Sequence, residues 1–247
     1  MARRNSKHDP EVTPPAQLAE ALGVDFVPEL LEQALTHSSY GFEQGCADYE
    51  RLEFLGDSVL GLAVAAMLYR AHPDLSEGDL SRRHHALVST TSLAEIARGI
   101  GLGAYLRLGR SEQLTGGNDK DSILADAVEA VIGAAYLSAG ALIADDLVQR
   151  LVEPYRGDVE RFGAAMDPKT ALIEELALRG GGEPSYTVTG TGPDHDRVFT
   201  AELVVRRGDA VVLSATGVAA SKKQAELAAA LEAWYDLTGN ARPAPRA

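Results

Sequence analysis

Apolar residues recur at helical spacing through residues 17–162, and this pattern predicts a domain built of helices. The longest such stretch, residues 51–69, is apolar on most of its faces, which is typical of a buried central helix. Pro73 forbids its continuation. The same periodicity predicts further helices over residues 29–36, 77–88, 91–99, 122–139 and 141–155.

The pattern changes after residue 166. Asp167 and Pro168 form a good helix start, since Asp caps a helix and Pro suits its first position, and this helix should run to about Leu178. Three stretches rich in β-forming residues and one closing helix then follow, over residues 185–189, 198–206, 210–215 and 222–235. The order α-β-β-β-α predicts a small α+β domain after an all-α domain.

Loop-forming composition suggests where these domains begin and end. Prolines in a polar context favour a loose start to the chain, and a Pro/Arg stretch favours a loose end. We therefore expect a flexible leader over residues 1–16, an all-α domain over 17–162, a linker over 163–166, an α+β domain over 167–237 and a disordered tail over 238–247.

The composition limits the class of protein. Of the 247 residues, 45% are hydrophobic, which is ample for a core. We find no apolar run of membrane-spanning length and no signal peptide at the start of the chain. The single cysteine, Cys46, excludes an internal disulfide framework and a cysteine-based zinc site. These features predict a cytoplasmic protein without a membrane partner.

The net charge is strongly acidic, but the acid is unevenly placed. A charge of −13 argues at first sight against a nucleic-acid ligand. However, the surplus of Asp and Glu lies in residues 17–162, whereas residues 167–247 are close to neutral. The acidic residues are therefore concentrated in the first domain.

Five acids lie at helical spacing within otherwise apolar stretches. Glu50, Glu53 and Asp57 are spaced i, i+3, i+7, and Asp126 and Glu129 are spaced i, i+3. Two unit charges about 5 Å apart repel by roughly 3 kcal/mol at an effective dielectric near 20. Such a set needs protons or cations, and its oxygen ligands favour a hard ion such as Mg²⁺. The spacing alone also occurs on solvated helix surfaces.

The sequence around these acids resembles one family. Residues 50–60, with the sequence ERLEFLGDSVL, closely resemble the signature of ribonuclease III, the endonuclease of double-stranded RNA. Residues 34–40 resemble the family segment before this signature, and residues 122–126 with Glu129 resemble its second catalytic helix. The α-β-β-β-α region resembles a double-stranded-RNA-binding domain. The resemblance covers nearly the whole chain.

The resemblance implies a homodimeric nuclease that uses Mg²⁺, with Mn²⁺ as a substitute. It implies that Asp57 and Glu129 are catalytic, within a larger set of metal ligands: Glu53, Asp57, Asp126 and Glu129. Glu50 and Glu77 match acids that line the cleavage cleft. Phe54 matches a residue that enters a socket on the partner subunit.

The resemblance also assigns RNA contacts in the second domain. These are the residues that match groove or phosphate contacts of the family: Lys169, Thr170, His195, Ser221, Lys222 and Lys223. The chain departs from common family residues at six positions on the side expected to face RNA: Ser38, Tyr49, His84, Ile173, Ala219 and Ala220. Each departure removes a donor, a charge or a flexible glycine, so together they predict weaker binding of the duplex.

Histidines at two sites could suggest metal binding, but we interpret them otherwise. We expect His37 to be a hydrogen-bonded structural residue, and His84 and His85 to be solvated or to face RNA.

Three functions follow, and the first is the leading hypothesis. A Mg²⁺-dependent endonuclease would process structured rRNA and mRNA precursors, leaving 5′ phosphates and short 3′ overhangs. A non-cleaving regulator that binds double-stranded RNA is the alternative, supported by the departures above. A metal-dependent phosphatase acting on small molecules would make no use of the second domain.

Overall fold

The computed structural model describes residues 12–193 and 196–242. The chain forms two compact units, of which the first ends at Gly157 and the second begins at Asp158. The first unit is helical, and the second combines helices with a three-stranded sheet. The predicted fold class, an all-α domain followed by a small α+β domain, is confirmed.

The helices of the first unit follow the predicted periodicity, with added short elements. They are α1 (Pro15–Leu22), α2 (Pro28–Ala34), α3 (Ser38–Gln44), α4 (Glu50–Ala71), α5 (Glu77–Leu87), α6 (Thr90–Gly99), α7 (Arg110–Leu114), α8 (Asp121–Ala139) and α9 (Ala141–Val152). Short 3₁₀ turns lie at Leu102–Tyr105, Gly117–Asp119 and Glu153–Asp158.

Helices α4 and α8 cross at two glycines. A Cβ atom on Gly56 would lie 1.7 Å from the carbonyl oxygen of Glu129, and one on Gly133 would lie 2.2 Å from that of Leu52. Both distances are far below van der Waals contact, so the backbones can approach this closely only because neither glycine has a side chain. The crossing therefore brings the two acidic stretches together.

These two helices also have the length and apolar composition of membrane spans, contrary to our reading of the sequence. Helix α8 supplies many buried residues of the first unit, and α4 packs closely against it. A helix buried at the centre of a helical domain is apolar for the same reason as a membrane span, because its surroundings are apolar. The apolar composition of α4 and α8 therefore fits their packing against each other.

The second unit contains helices on one face of a sheet. Its elements are α10 (Val159–Met166), α11 (Pro168–Leu178), β1 (Glu183–Thr191), β2 (Val198–Arg207), β3 (Ala210–Ala219) and α12 (Lys222–Thr238). The strands are antiparallel in the order β1-β2-β3. Alternate residues of β2, such as Leu203, pack with Leu172 of α11 and Ala229 of α12 in a buried core.

The predicted linker, residues 163–166, forms the last half of helix α10. Ala164 is buried in a cluster with Trp234 and Tyr235 of α12. The small side chain of Ala164 allows close packing against these two large aromatic rings. The boundary between the compact units accordingly lies before α10 rather than after it.

Both predicted terminal segments are partly structured. Helix α1 begins at Pro15, inside the predicted leader of residues 1–16, because proline suits the first position of a helix. Helix α12 extends to Thr238, and the Arg242 guanidinium donates to carboxylates of α12 within the predicted tail of residues 238–247. Residues 1–11 and 243–247 lie outside the described residues.

Candidate metal centre

Three carboxylates converge where α4 and α8 cross. One carboxylate oxygen from each of Glu53, Asp126 and Glu129 lies within 4.8 Å of the other two. All three side chains are half-buried. The one-turn spacing of Asp126 and Glu129 puts them on one face of α8, and the Gly56 crossing brings Glu53 of α4 beside them.

The electrostatics of this cluster oppose full ionisation. Burial raises the pKa of the Glu129 carboxyl to about 8, and repulsion from Asp57, Asp126 and Glu53 adds to the effect. The pKa of Glu53 is raised by burial and then by the charges of Asp126, Glu50 and Asp57. Without a cation, the cluster therefore retains a proton at neutral pH.

The donor set fits a divalent metal ion. Each carboxylate offers a hard, anionic oxygen, the type of ligand that binds Mg²⁺ and Mn²⁺. The oxygens are close enough to share one ion, and a doubly charged cation offsets the repulsion that raises the pKa values. Glu53, Asp126 and Glu129 are the residues that would hold it.

The other predicted acids lie farther out. Asp57 is exposed on α4, and its charge acts on both Glu53 and Glu129. Glu50 is exposed in the first turn of α4 and acts on Glu53. Glu77 is the first residue of α5, and its carboxylate accepts a hydrogen bond from Ser81 Oγ at 2.8 Å. Asp57 and Glu50 thus extend the acidic surface along α4.

Sequence reasoning missed a second group of residues beside the cluster. Burial raises the pKa of the Asp126 carboxyl, and His37 and Tyr49, which lie close to this carboxyl, oppose that rise. The rings of His37 and Tyr49 meet edge to face, with centroids 5.6 Å apart. Tyr49 is buried, so our interpretation of it as a departure on the RNA-facing side is wrong.

His84 is likewise an internal contact. Its Nε2 atom lies 3.0 Å from the carbonyl oxygen of Gly61, so the ring donates a hydrogen bond to α4. His84 is half-buried and so is less solvated than predicted, whereas His85 is exposed, and contact of this pair with RNA stays a prediction. His37 fits its predicted structural role, because its Nδ1 atom caps α3 by accepting from the backbone N–H of Ser39.

Phe54 lies on an exposed apolar stripe of α4. Its side chain is 79% exposed, and Leu62 and Tyr69, two and four turns further along, are 73% and 74% exposed. Large apolar side chains exposed in a row are typical of an interaction surface. The stripe begins directly beside Glu53.

The predicted RNA contacts of the second unit fall on two helix starts. Ser221 caps α12 by accepting from the backbone N–H of Gln224, and the exposed Lys222 and Lys223 follow it. Thr170 is exposed in the first turn of α11. His195 lies outside the described residues.

Lys169 has partners within its own unit. Its Nζ atom lies 2.6 Å from a carboxylate oxygen of Glu226 and 4.6 Å from the centre of the Tyr186 ring. The nearby Ile173 is 56% exposed on α11, so an apolar side chain replaces the polar contact common in relatives. A phosphate would compete with Glu226 for the Lys169 ammonium.

The raised pKa of Glu129 predicts a pH-dependent stability of the metal-free protein. The ordinary value is 4.5, so between there and about 8 the folded state holds a proton that the unfolded chain releases. This contribution is fully present below the lower value and is lost as the pH rises through the upper one. Measured in EDTA, the Tm of the wild type should fall relative to that of Glu129→Gln as the pH rises from about 5 to about 9. A difference in Tm that is constant with pH would contradict the assigned pKa.

Comparison with known proteins places both units in families. A Ribonuclease-III-like family model matches residues 27–155, and a double-stranded RNA binding motif matches residues 168–237. The chain is 56% identical to Ribonuclease 3 of Leifsonia xyli subsp. xyli over 237 residues, which cover 96% of this chain and 98% of that protein. Ribonuclease 3 of Streptomyces coelicolor is 49% identical, covering 94% of this chain and 83% of that protein.

A solved structure resembles the first unit. The nuclease domain of ribonuclease III from Campylobacter jejuni, described as flexible in a region involved in dimer formation, matches with a TM-score of 0.53 and 42% identity. The match covers 56% of this chain and 95% of that one. The two family models and the high identity over nearly the full length agree: this chain belongs to the ribonuclease III family and is an endoribonuclease with a double-stranded-RNA-binding domain.

Proposed function

We propose that this enzyme hydrolyses double-stranded RNA with Mg²⁺ held by the carboxylate cluster, and that Mn²⁺ can replace it. The convergence of Glu53, Asp126 and Glu129 within 4.8 Å is the observation that carries the proposal. Asp57, whose charge reaches two of the three, completes the set as the fourth ligand. Asp57 and Glu129 are the catalytic acids, and Glu50 and Glu77 line the cleft.

The carboxylates of the cluster would act by holding a divalent cation in a fixed position. When bound, a divalent ion activates water, neutralises the charge on the attacked phosphate and assists the departing 3′ oxygen. A cation held by the cluster would favour the ionised form of the Glu129 carboxyl, with its proton released to solvent. The rigid crossing of α4 and α8 at Gly56 fixes the spacing of the ligands before binding. The products are expected to carry 5′ phosphates.

A homodimer would explain both the exposed stripe and a staggered cut. Pairing of two α4 stripes would cover Phe54, Leu62 and Tyr69, whose exposure is otherwise unfavourable. Phe54 would enter the partner subunit. Twofold symmetry would then place one cutting centre against each strand, leaving short 3′ overhangs.

The second unit would bind the duplex through the N-termini of α11 and α12. The N-terminus of α12 carries partial positive charge and two exposed lysines, which suit a phosphate. Thr170 and Lys169 begin α11, which would follow a minor groove, with His195 as a further contact. Structured precursors of rRNA and mRNA in the cytoplasm are the substrates that this combination serves.

The lysines can be tested through salt dependence. Each phosphate contact contributes a slope of roughly 0.9 when log affinity is plotted against log salt. Replacing both Lys222 and Lys223 with alanine should weaken binding of duplex RNA in EDTA and lower the slope by up to about 1.8. Arg242→Ala removes a charge near the opposite end of α12 and should leave the slope unchanged. An unchanged slope in the double variant would show that these lysines do not contact phosphates of the RNA.

One gel tests the proposed activity. Labelled duplex RNA should be cut by the protein in Mg²⁺ or Mn²⁺, remain intact in EDTA, and yield ends that carry 5′ phosphates. RNA that is retarded but uncut under all these conditions would instead support the non-cleaving regulator. Hydrolysis of small phosphomonoesters with no action on duplex RNA would support the phosphatase.

A further inference from the structure

Lys169 and Glu226 join the starts of the two helices that would contact RNA. Lys169 is the second residue of α11, and its ammonium lies 2.6 Å from a carboxylate oxygen of Glu226, in the second turn of α12. The ammonium also lies over the ring of Tyr186 in β1, 4.6 Å from the ring centre. Lys169 is therefore held between a full negative charge and the face of a neutral ring.

Glu226 also lies close to the other cations of this surface. It follows Lys222 by four residues on α12, and residues four apart share one face of a helix. Its carboxylate is thus near both Lys169 of α11 and the exposed start of α12, which carries Lys222 and Lys223. An acid among three proposed contacts to phosphate opposes the binding of a polyanion.

The ion pair remains accessible to solvent. The Lys169 and Glu226 side chains are 37% and 29% exposed. An ion pair of this kind changes an equilibrium by only up to about fivefold, so an RNA phosphate can compete for the ammonium. Contact with a phosphate would leave the Glu226 carboxylate as an uncompensated negative charge beside that phosphate, and their repulsion opposes the contact.

We propose that Glu226 limits the affinity of this enzyme for duplex RNA by restraining Lys169. In the wild type the carboxylate neutralises the ammonium, so the pair as a whole adds little to the attraction for phosphates. The inference rests on the proposed binding of duplex RNA by the N-termini of α11 and α12. It makes Lys169 a restrained contact, in contrast to the exposed Lys222 and Lys223.

The alternative is that the ion pair only holds α11 against α12. The two roles predict opposite changes in duplex affinity when the charge of Glu226 is removed. Loss of a structural pair would let the two helix starts move and would weaken binding, whereas release of Lys169 would strengthen it. Glu226→Gln separates the two roles, because the amide keeps the size of the side chain and lacks its charge.

The deciding measurement is binding of duplex RNA to each full-length variant in EDTA, over a range of salt concentrations. Glu226→Gln should bind the duplex up to about fivefold more tightly than the wild type at low salt. Its slope of log affinity against log salt should be steeper by up to about 0.9, the contribution of one phosphate contact. Adding Lys169→Gln to Glu226→Gln should return the affinity and the slope to those of the wild type, because the pair is again without net charge.

Glu232→Gln is the matched control. It makes the same chemical change on another face of α12, where the Glu232 carboxylate accepts a hydrogen bond from Arg242 Nε at 2.9 Å. It removes the same amount of negative charge from the protein, so it reports the effect of net charge alone. Its duplex affinity and its slope should match those of the wild type.

Three results would overturn the inference while leaving the proposed function intact. Duplex binding that is unchanged or weaker in Glu226→Gln would show that the ion pair does not limit affinity. A gain in affinity that persists when Lys169→Gln is added would show that Glu226 does not act through Lys169. An equal gain in Glu232→Gln would show an effect of net charge alone. Failure of the wild type itself to bind duplex RNA would instead remove the proposed function and this inference with it.

Discussion

Glu129→Gln should lose cleavage of duplex RNA by at least roughly 100-fold while keeping its affinity for the duplex. The substitution preserves the size and shape of the side chain but replaces one anionic oxygen of the cluster with an amide. Burial, and then the charges of its neighbours, raise the pKa of Glu129 to about 8, so its ionised form gains much from a cation. Cleavage rates at saturating Mg²⁺ measure the activity, and gel shifts in EDTA measure the affinity for duplex RNA.

The same reasoning covers Asp57 and supplies a control. Asp57→Asn should also lower cleavage by at least roughly 100-fold, because it replaces the anionic oxygen of a proposed metal ligand with an amide. Glu20→Gln makes the same chemical change as Glu129→Gln at an exposed position on α1 and should cut normally. Wild-type rates in both Glu129→Gln and Asp57→Asn would contradict the assignment of these acids to the centre.

Gly56→Ala should cost about 3 kcal/mol of stability and abolish cleavage. The added Cβ atom would lie 1.7 Å from the carbonyl oxygen of Glu129, so α4 and α8 must separate. Separation would open the core between the two helices and move Glu53 away from Asp126 and Glu129. The loss of stability and the loss of cleavage would therefore have the same cause, the separation of α4 from α8.

Thermal unfolding in EDTA measures the stability and duplex cleavage in Mg²⁺ measures the activity. Gly61→Ala is the matched control in the same helix, because its added Cβ would meet His84 Nε2 at an ordinary 3.8 Å. Gly61→Ala should fold and cut nearly normally. A Gly56→Ala variant as stable and active as Gly61→Ala would show that the close crossing of α4 and α8 is not required.

The sequence predicts the parts of this centre that depend on local spacing. Asp126 and Glu129 share a face of α8 because they are one turn apart, and the same holds for Glu53 and Asp57 on α4. Periodicity gives each helix separately and carries no information on which helices cross or how closely. That information lies in Gly56 and Gly133, whose meaning is evident only when the opposite backbone is in place.

Contacts between residues far apart in sequence explain most of what the sequence does not reveal. Tyr49 and Asp126 are far apart in sequence, and the pattern around Tyr49 gives no sign that it lies close to a carboxylate of the cluster. The family resemblance assigns Lys169 to RNA, and the sequence does not reveal that its partners within the second unit, Tyr186 and Glu226, belong to a strand and to another helix. Residues 163–166 are predicted to be a linker because the sequence does not show that Ala164 packs against Trp234 of α12.

The most direct test of the account is titration of Mg²⁺ into the full-length protein, followed by calorimetry, for the wild type and Glu129→Gln. The account predicts saturable binding to the wild type, and an affinity at least about 10-fold lower in Glu129→Gln with unchanged binding of duplex RNA in EDTA. Equal Mg²⁺ affinity in the two proteins would contradict the claim that the carboxylates at the crossing of α4 and α8 form the metal centre.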